Sequence, residues 1–263
     1  MNKNKYSAKI ELQEFFLLWG IFIMNSLIRI ITEAGLNKFF YDLFFALGFV
    51  GVMIYNLINC KHYNLSKIKA MILSFIVYTV TVIWMFILYW AFSGFKNWGG
   101  NNIVRIFIWV PLIAYPVCKI MKIDWKMCCD FLSPCVCVVH GIAHFGCMFE
   151  GCCHGYPWEY GLYNPRLHYN TFPIQPIEAI TAILIVLYIS NREKKKNYEP
   201  DGLSYPIMLM LFGYSRFFYE FLRDNPKIIL GISELAFHAL VAGIVGTHMY
   251  FQMYKDNKLR KAN

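Results

Sequence analysis

Between His140 and His154 the chain gathers three histidines (His140, His144, His154), one carboxylate (Glu150) and three cysteines (Cys147, Cys152, Cys153) within 15 residues. They sit at the end of a long apolar segment in a protein that is 58% hydrophobic. A polar group in hydrocarbon costs several kcal/mol unless it is paired, so such a cluster at the edge of a span reads as a site. Imidazoles exchange protons near neutral pH, and soft thiolates with imidazoles also suit zinc. Adjacent cysteines are awkward ligands for one ion, however, and no second CxxC-type pair follows. No metal and no cofactor are expected.

Further ionisable residues recur near the ends of the next apolar segments. Gln175 and Glu178 open one of them, between and just after Pro173 and Pro176. Arg216, Glu220 and Arg223 close the next at helical spacing, and Ser233, Glu234 and His238 open the last. Each has a plainer role as well. Arg216 and Glu220 can neutralise each other as a structural ion pair, Arg223 can reach the headgroups, and Gln175 can cap a broken helix. His238 and His248 read as packing residues.

The segments that must position these groups are apolar runs near 15–32, 39–59, 71–93, 103–118, 131–149, 173–190, 203–222 and 230–252. Most are long enough to cross a hydrocarbon core of about 30 Å. The expected fold is an all-α polytopic transmembrane helix bundle with seven core spans and one extra N-terminal segment. That segment, 15–32, carries Arg29, and it either crosses or lies in the interface. A single integral membrane domain is expected over 1–263: an N-terminal segment 1–38, a core bundle 39–252 and a cytoplasmic tail 253–263. No cleavable signal peptide is evident.

The net charge of +9 falls in a pattern that argues against a nucleic-acid partner. Of the 25 lysines and arginines, 17 occupy five clusters separated by pairs of spans: Lys3/Lys5/Lys9, Lys61/Lys67/Lys69, Lys119/Lys122/Lys126, Arg192/Lys194/Lys195/Lys196 and Lys255/Lys258/Arg260/Lys261. The alternate loops hold five (Lys38, Lys96, Arg166, Arg223, Lys227), and Arg29, Arg105 and Arg216 fall within spans. Basic loops stay in the cytoplasm. This orientation puts His140, His144, Glu150, Gln175, Glu178, Arg216, Glu220 and Arg223 at one depth, toward the outer leaflet.

Three stretches, 140–155, 172–179 and 202–223, resemble signature regions of the prolipoprotein diacylglyceryl transferase family. The run Ala143–Gly151 is similar to the family's glycine-rich signature, and Cys152-Cys153-His154-Gly155 to a cysteine-rich branch of it. Pro173, Gln175, Glu178 and Ala179 match a Pro-x-Gln-x-x-Glu-Ala motif. Arg216, Phe217, Glu220 and Arg223 match Arg-Phe-x-x-Glu-x-x-Arg, the most specific piece. His144 stands where the family signature has arginine. The stretch Trp98–Ile103 keeps glycines but lacks a family histidine, and Glu234, Ala236 and His238 replace a glutamine early in the last span.

The resemblance implies a multi-pass bacterial plasma-membrane enzyme with its active site facing the outer leaflet. It would transfer diacylglyceryl from phosphatidylglycerol to the lipobox cysteine of a prolipoprotein signal peptide, with lipid bilayer, phospholipid and signal peptide as partners. Under that reading Arg216 and Arg223 hold the phosphate, Glu220 orients Arg216, and His144 or His140 is the base. Gly146, Glu150, Gln175 and Glu178 would line the substrate site. The competing expectation is a non-catalytic binder of a phospholipid or signal peptide, or a small-anion transporter, using the same pocket.

Overall fold

The computed structural model describes residues 19–92, 103–229 and 231–262. Lys3, Lys5, Lys9, Lys96 and the glycine stretch 98–102, all used above, lie outside the described residues. Among the described residues eight α-helices follow one another, with a short 3-10 helix Cys60–Tyr63 after the second: α1 over 19–33, α2 Asn37–Asn59, α3 Lys67–Phe92, α4 Ile103–Met121, α5 Trp125–Glu150, α6 Ile174–Lys195, α7 Ser204–Glu220 and α8 Glu234–Ala262. Among the described residues, α2, α3, α5 and α6 are long and apolar enough to cross a membrane. The protein is an all-α polytopic bundle. Large side chains such as Phe22, Phe75, Ile120 and Phe251 point outward, leaving the apolar exterior that lipid covers.

Helix α5 is the centre of this bundle: 78% of its apolar stretch is buried, against 22–39% for the other three spans. It begins at Trp125, earlier than the apolar run suggests, because Asp124 caps it: Oδ1 accepts the Met127 N–H at 2.9 Å. Its small residues let neighbours approach. A side chain at Gly146 would meet the Tyr41 carbonyl and Phe44 Cβ of α2 at 3.0 Å. Helices α7 and α8 close on each other similarly, where a Cβ on Gly213 would lie 2.4 Å from the Gly243 nitrogen.

Two features depart from the pattern of apolar runs. The loop after α5 folds as an antiparallel ribbon, β1 Pro157–Asn164 with β2 Tyr169–Thr171, and a smaller ribbon, β3 Lys227–Ile229 with β4 Ile232–Ser233, precedes α8. In addition, residues 253–262, expected as a tail, continue α8 as helix. Charged Lys255, Asp256 and Lys258 end the apolar stretch but are compatible with helix, so the hydropathy boundary and the helix boundary differ.

At the ends of α6 and α7 remote from Glu178 and Arg216, buried charge ties three helices together. Asp130 of α5 accepts Lys196 Nζ at 2.7 Å and the backbone N–H groups of Asp201, Gly202 and Ser204 at 2.9–3.0 Å. Asp201 accepts Lys196 at 2.9 Å and pairs with Arg192, while Tyr63 donates to Glu193 at 2.8 Å. Every member has partners, which makes this a structural clamp.

Candidate active site

The opposite ends of α5, α6 and α7 converge on Glu178. On α5, residues four apart share a face, and the His140 and His144 rings lie with centroids 4.0 Å apart, their planes tilted by 47°. Helix α5 stops at Gly151, whose φ of +76° suits a left-handed cap and whose N–H bonds the Cys147 carbonyl. The chain reverses through Cys152–Tyr156, where Gly155 bridges to Arg223. Gln175 secures that turn by donating Nε2 to the Cys152 carbonyl at 3.0 Å.

Glu178 Oε2 lies 3.1 Å from His144 Nδ1, 4.0 Å from His140 Nε2 and 2.7 Å from Arg223 Nη2, and it also pairs with Arg216 Nη1. Its Oε1 accepts Arg223 Nε at 3.3 Å. Glu220 Oε1 is 2.8 Å from Arg216 Nη2 and 3.4 Å from Arg223 Nε. All six side chains are buried. The Nε of Arg216 and both ring nitrogens of His140 are buried without a hydrogen-bond partner. A small cavity of about 10 Å³ opens beside them, lined by His140, Glu178, Thr181, Phe212, Ser215, Arg216 and Tyr219. Unpartnered nitrogens beside a cavity of this size leave room for about one water molecule.

Burial opposes the charged form of Arg223, but the Glu178 carboxylate, then Cys153 and Glu220, outweigh it and hold the guanidinium's pKa above its usual value. Hydrogen bonds from Cys147 and Cys152 draw the Cys153 thiol well below its ordinary range.

His140, His144, Glu178, Arg216, Glu220 and Arg223 are therefore one constellation. Three other expected residues are not in it. Glu150 turns away to Arg166, 2.6 Å distant in the ribbon loop. Gly146 faces α2, and Gln175 serves the cysteine turn. Two residues that the motifs did not single out anchor Glu220 Oε2: Asn225 donates at 2.7 Å and Ser233 at 2.9 Å. Ser233 also accepts the Ala236 N–H at 3.0 Å, so it caps α8 while fixing Glu220. Its place before a helical run was the available signal; Asn225 gave none.

The model of the prolipoprotein diacylglyceryl transferase family matches residues 29–254, a range that contains every residue of the constellation. The chain belongs to that family. Among curated relatives, phosphatidylglycerol–prolipoprotein diacylglyceryl transferase 2 of Clostridium perfringens is 24% identical over 182 residues, 63% of this chain and 66% of that protein. The Clostridium tetani transferase is 25% identical over 149 residues, 52% of this chain and 57% of its own length. The Clostridium kluyveri transferase is 25% identical over 255 residues, 86% of this chain and 96% of its own. The first two matches thus span less than two thirds of those relatives. In this member of the diacylglyceryl transferase family, the two imidazoles and two guanidiniums share a single carboxylate.

Proposed function

We propose that this protein transfers a diacylglyceryl group from phosphatidylglycerol to the thiol of a prolipoprotein lipobox cysteine, at the outer leaflet of a bacterial plasma membrane. The observation that carries the reading is Glu178, which holds two arginines and two histidines together in a buried site. A thiol must lose its proton to become a nucleophile, and the paired imidazoles of His140 and His144 supply a base. The thiolate then attacks the glyceryl carbon that bears the phosphate. A carbon–sulfur bond forms as the carbon–oxygen bond breaks, and the electron pair leaves with glycerol phosphate. Arg216 and Arg223 take up the charge on the departing phosphate oxygens, for which a planar guanidinium is well shaped. Glu220, itself fixed by Asn225 and Ser233, holds Arg216 in place.

Incubating the purified protein with phosphatidylglycerol and a lipobox peptide should yield the thioether-linked diacylglyceryl peptide by mass spectrometry. No adduct, under conditions in which an authentic family enzyme makes one, would reject the assignment. Arg216→Ala should lower the rate by about 10²–10³-fold, the usual effect of removing a charge-stabilising donor. A near-normal rate in that variant would remove the phosphate role.

A further inference from the structure

The cysteine turn is not used by the transfer chemistry above, yet it packs against it. We infer that His144, Cys147 and Cys153 form a binding site for one thiophilic divalent cation, zinc by its ligand chemistry, with a fourth position left open.

One donor atom from each of the three residues lies within 4.8 Å of the other two. Tetrahedral zinc with bonds of about 2.3 Å sets its sulfurs roughly 3.8 Å apart, so closure needs at most about 1 Å of movement. The local sequence explains the gathering. His144 and Cys147 are three apart on one face of α5, and the left-handed cap at Gly151 folds Cys153 back onto that face.

Two further observations point to a ligand. Cys153 has φ +58°, in the left-handed region that costs a non-glycine residue of order 1 kcal/mol or more. The conformation is held by the Gln175 bond to Cys152 and by the Gly155 bridge to Arg223. Cys152 Sγ donates to the Cys147 carbonyl at 3.9 Å and hydrogen-bonds the Cys147 and Cys153 thiols, but it stands outside the group whose ligand atoms come together with His144. The carboxylate of Glu178 stands 3.1 Å from His144 Nδ1, which is buried without a hydrogen-bond partner. A carboxylate behind a ligating histidine is the usual arrangement in metal sites.

The other two candidate groups fail on charge. In His140/His144/Glu178 the one carboxylate already carries two arginines, Arg216 and Arg223, and in Asp130/Glu193/Asp201 the space is filled by Lys196 and Arg192, whereas the cysteine group meets one arginine, Arg223 against Cys153. Bound as thiolates, with any remaining proton passing to solvent, Cys147 and Cys153 neutralise the dication. A ligated His144 has no free lone pair, so His140 would then be the base. That consequence rests on the transfer reading, whereas the cation site does not.

The test uses full-length protein, reduced and stripped with a chelator in detergent, titrated anaerobically with Co²⁺. One equivalent should bind and give intense tetrahedral cobalt absorption with a thiolate-to-metal band, both abolished by adding Zn²⁺. Cys147→Ser and Cys153→Ser should each weaken binding at least tenfold and diminish the band, whereas Cys152→Ser should retain both. Circular dichroism of the Cys153→Ser protein checks that the variant keeps the fold. The proposal is overturned if the reduced protein forms no stoichiometric complex, or if the band survives Cys153→Ser. A disulfide among these cysteines that persists in protein prepared with zinc also overturns it. A transfer assay on the same preparation reports separately on the catalytic reading.

Discussion

Glu178 contacts more charged groups than any sequence motif assigns to it. It touches Arg216, Arg223 and His144 at once, with His140 at 4.0 Å, so neutralising it disturbs four partners. Glu178→Gln keeps the shape but leaves two buried guanidiniums with one carboxylate between them. Removing one member of a buried ion pair typically costs about 3–5 kcal/mol. Glu178→Gln should therefore cut transfer at least as deeply as Arg216→Ala and lower thermal stability too, whereas Arg216→Lys should spare stability more than activity. Rates and melting temperatures in detergent check both. Helical spacing made His140/His144 and Arg216/Glu220/Arg223 legible in the sequence, since residues four apart must share a face. The role of Asn225 was not legible, because it is set by the turn after α7. Nor was the pairing of Glu150 with Arg166, which depends on a ribbon that no apolar run reveals.

At the scale of elements, the joint between α6 and α7 is held by Asp201. Burial would push its carboxyl up, but hydrogen bonds from Arg192 and Lys196 win and hold it at about 2, below its ordinary value. A depressed carboxylate stabilises the fold above its unfolded pKa of about 3.9, and that contribution is lost as pH falls through about 2. Asp201→Asn should lower the melting temperature near neutral pH by roughly 2–4 °C per kcal/mol lost. The gap to the wild type should close between about pH 4 and pH 2. A gap that stays constant over that range would assign the effect to packing. All eight helices coincide with the apolar runs to within a few residues at most ends, because burial in a bilayer dominates every local preference. The exceptions are polar: Asp124 starts α5 early, and charged residues 255–258 extend α8 beyond its apolar part.

For the molecule as a whole, the two buried ionic groups occupy opposite ends of the same three helices. The Asp130 clamp lies beside the basic end of α6, Arg192–Lys196, and the Glu178 constellation beside loops poor in lysine. Basic loops are retained in the cytoplasm, so single cysteines placed in 191–201 or 253–262 should resist impermeant thiol reagents in intact cells. Labelling of both regions from outside would invert the orientation. Arg216 and Arg223 contribute two positive charges, and Glu178 and Glu220 two negative ones, so these four ion-paired groups balance one another before anything binds. The pocket behaves as a loaded ion exchanger: a headgroup phosphate entering intact leaves one uncompensated negative charge in a medium where such a charge costs several kcal/mol. The balance is restored if a proton arrives with the lipid. Calorimetric binding of an anionic headgroup should then show an enthalpy that tracks the ionisation enthalpy of the buffer, with a slope of about one proton per lipid. A slope of zero would mean that the incoming anion expels a resident carboxylate to water instead.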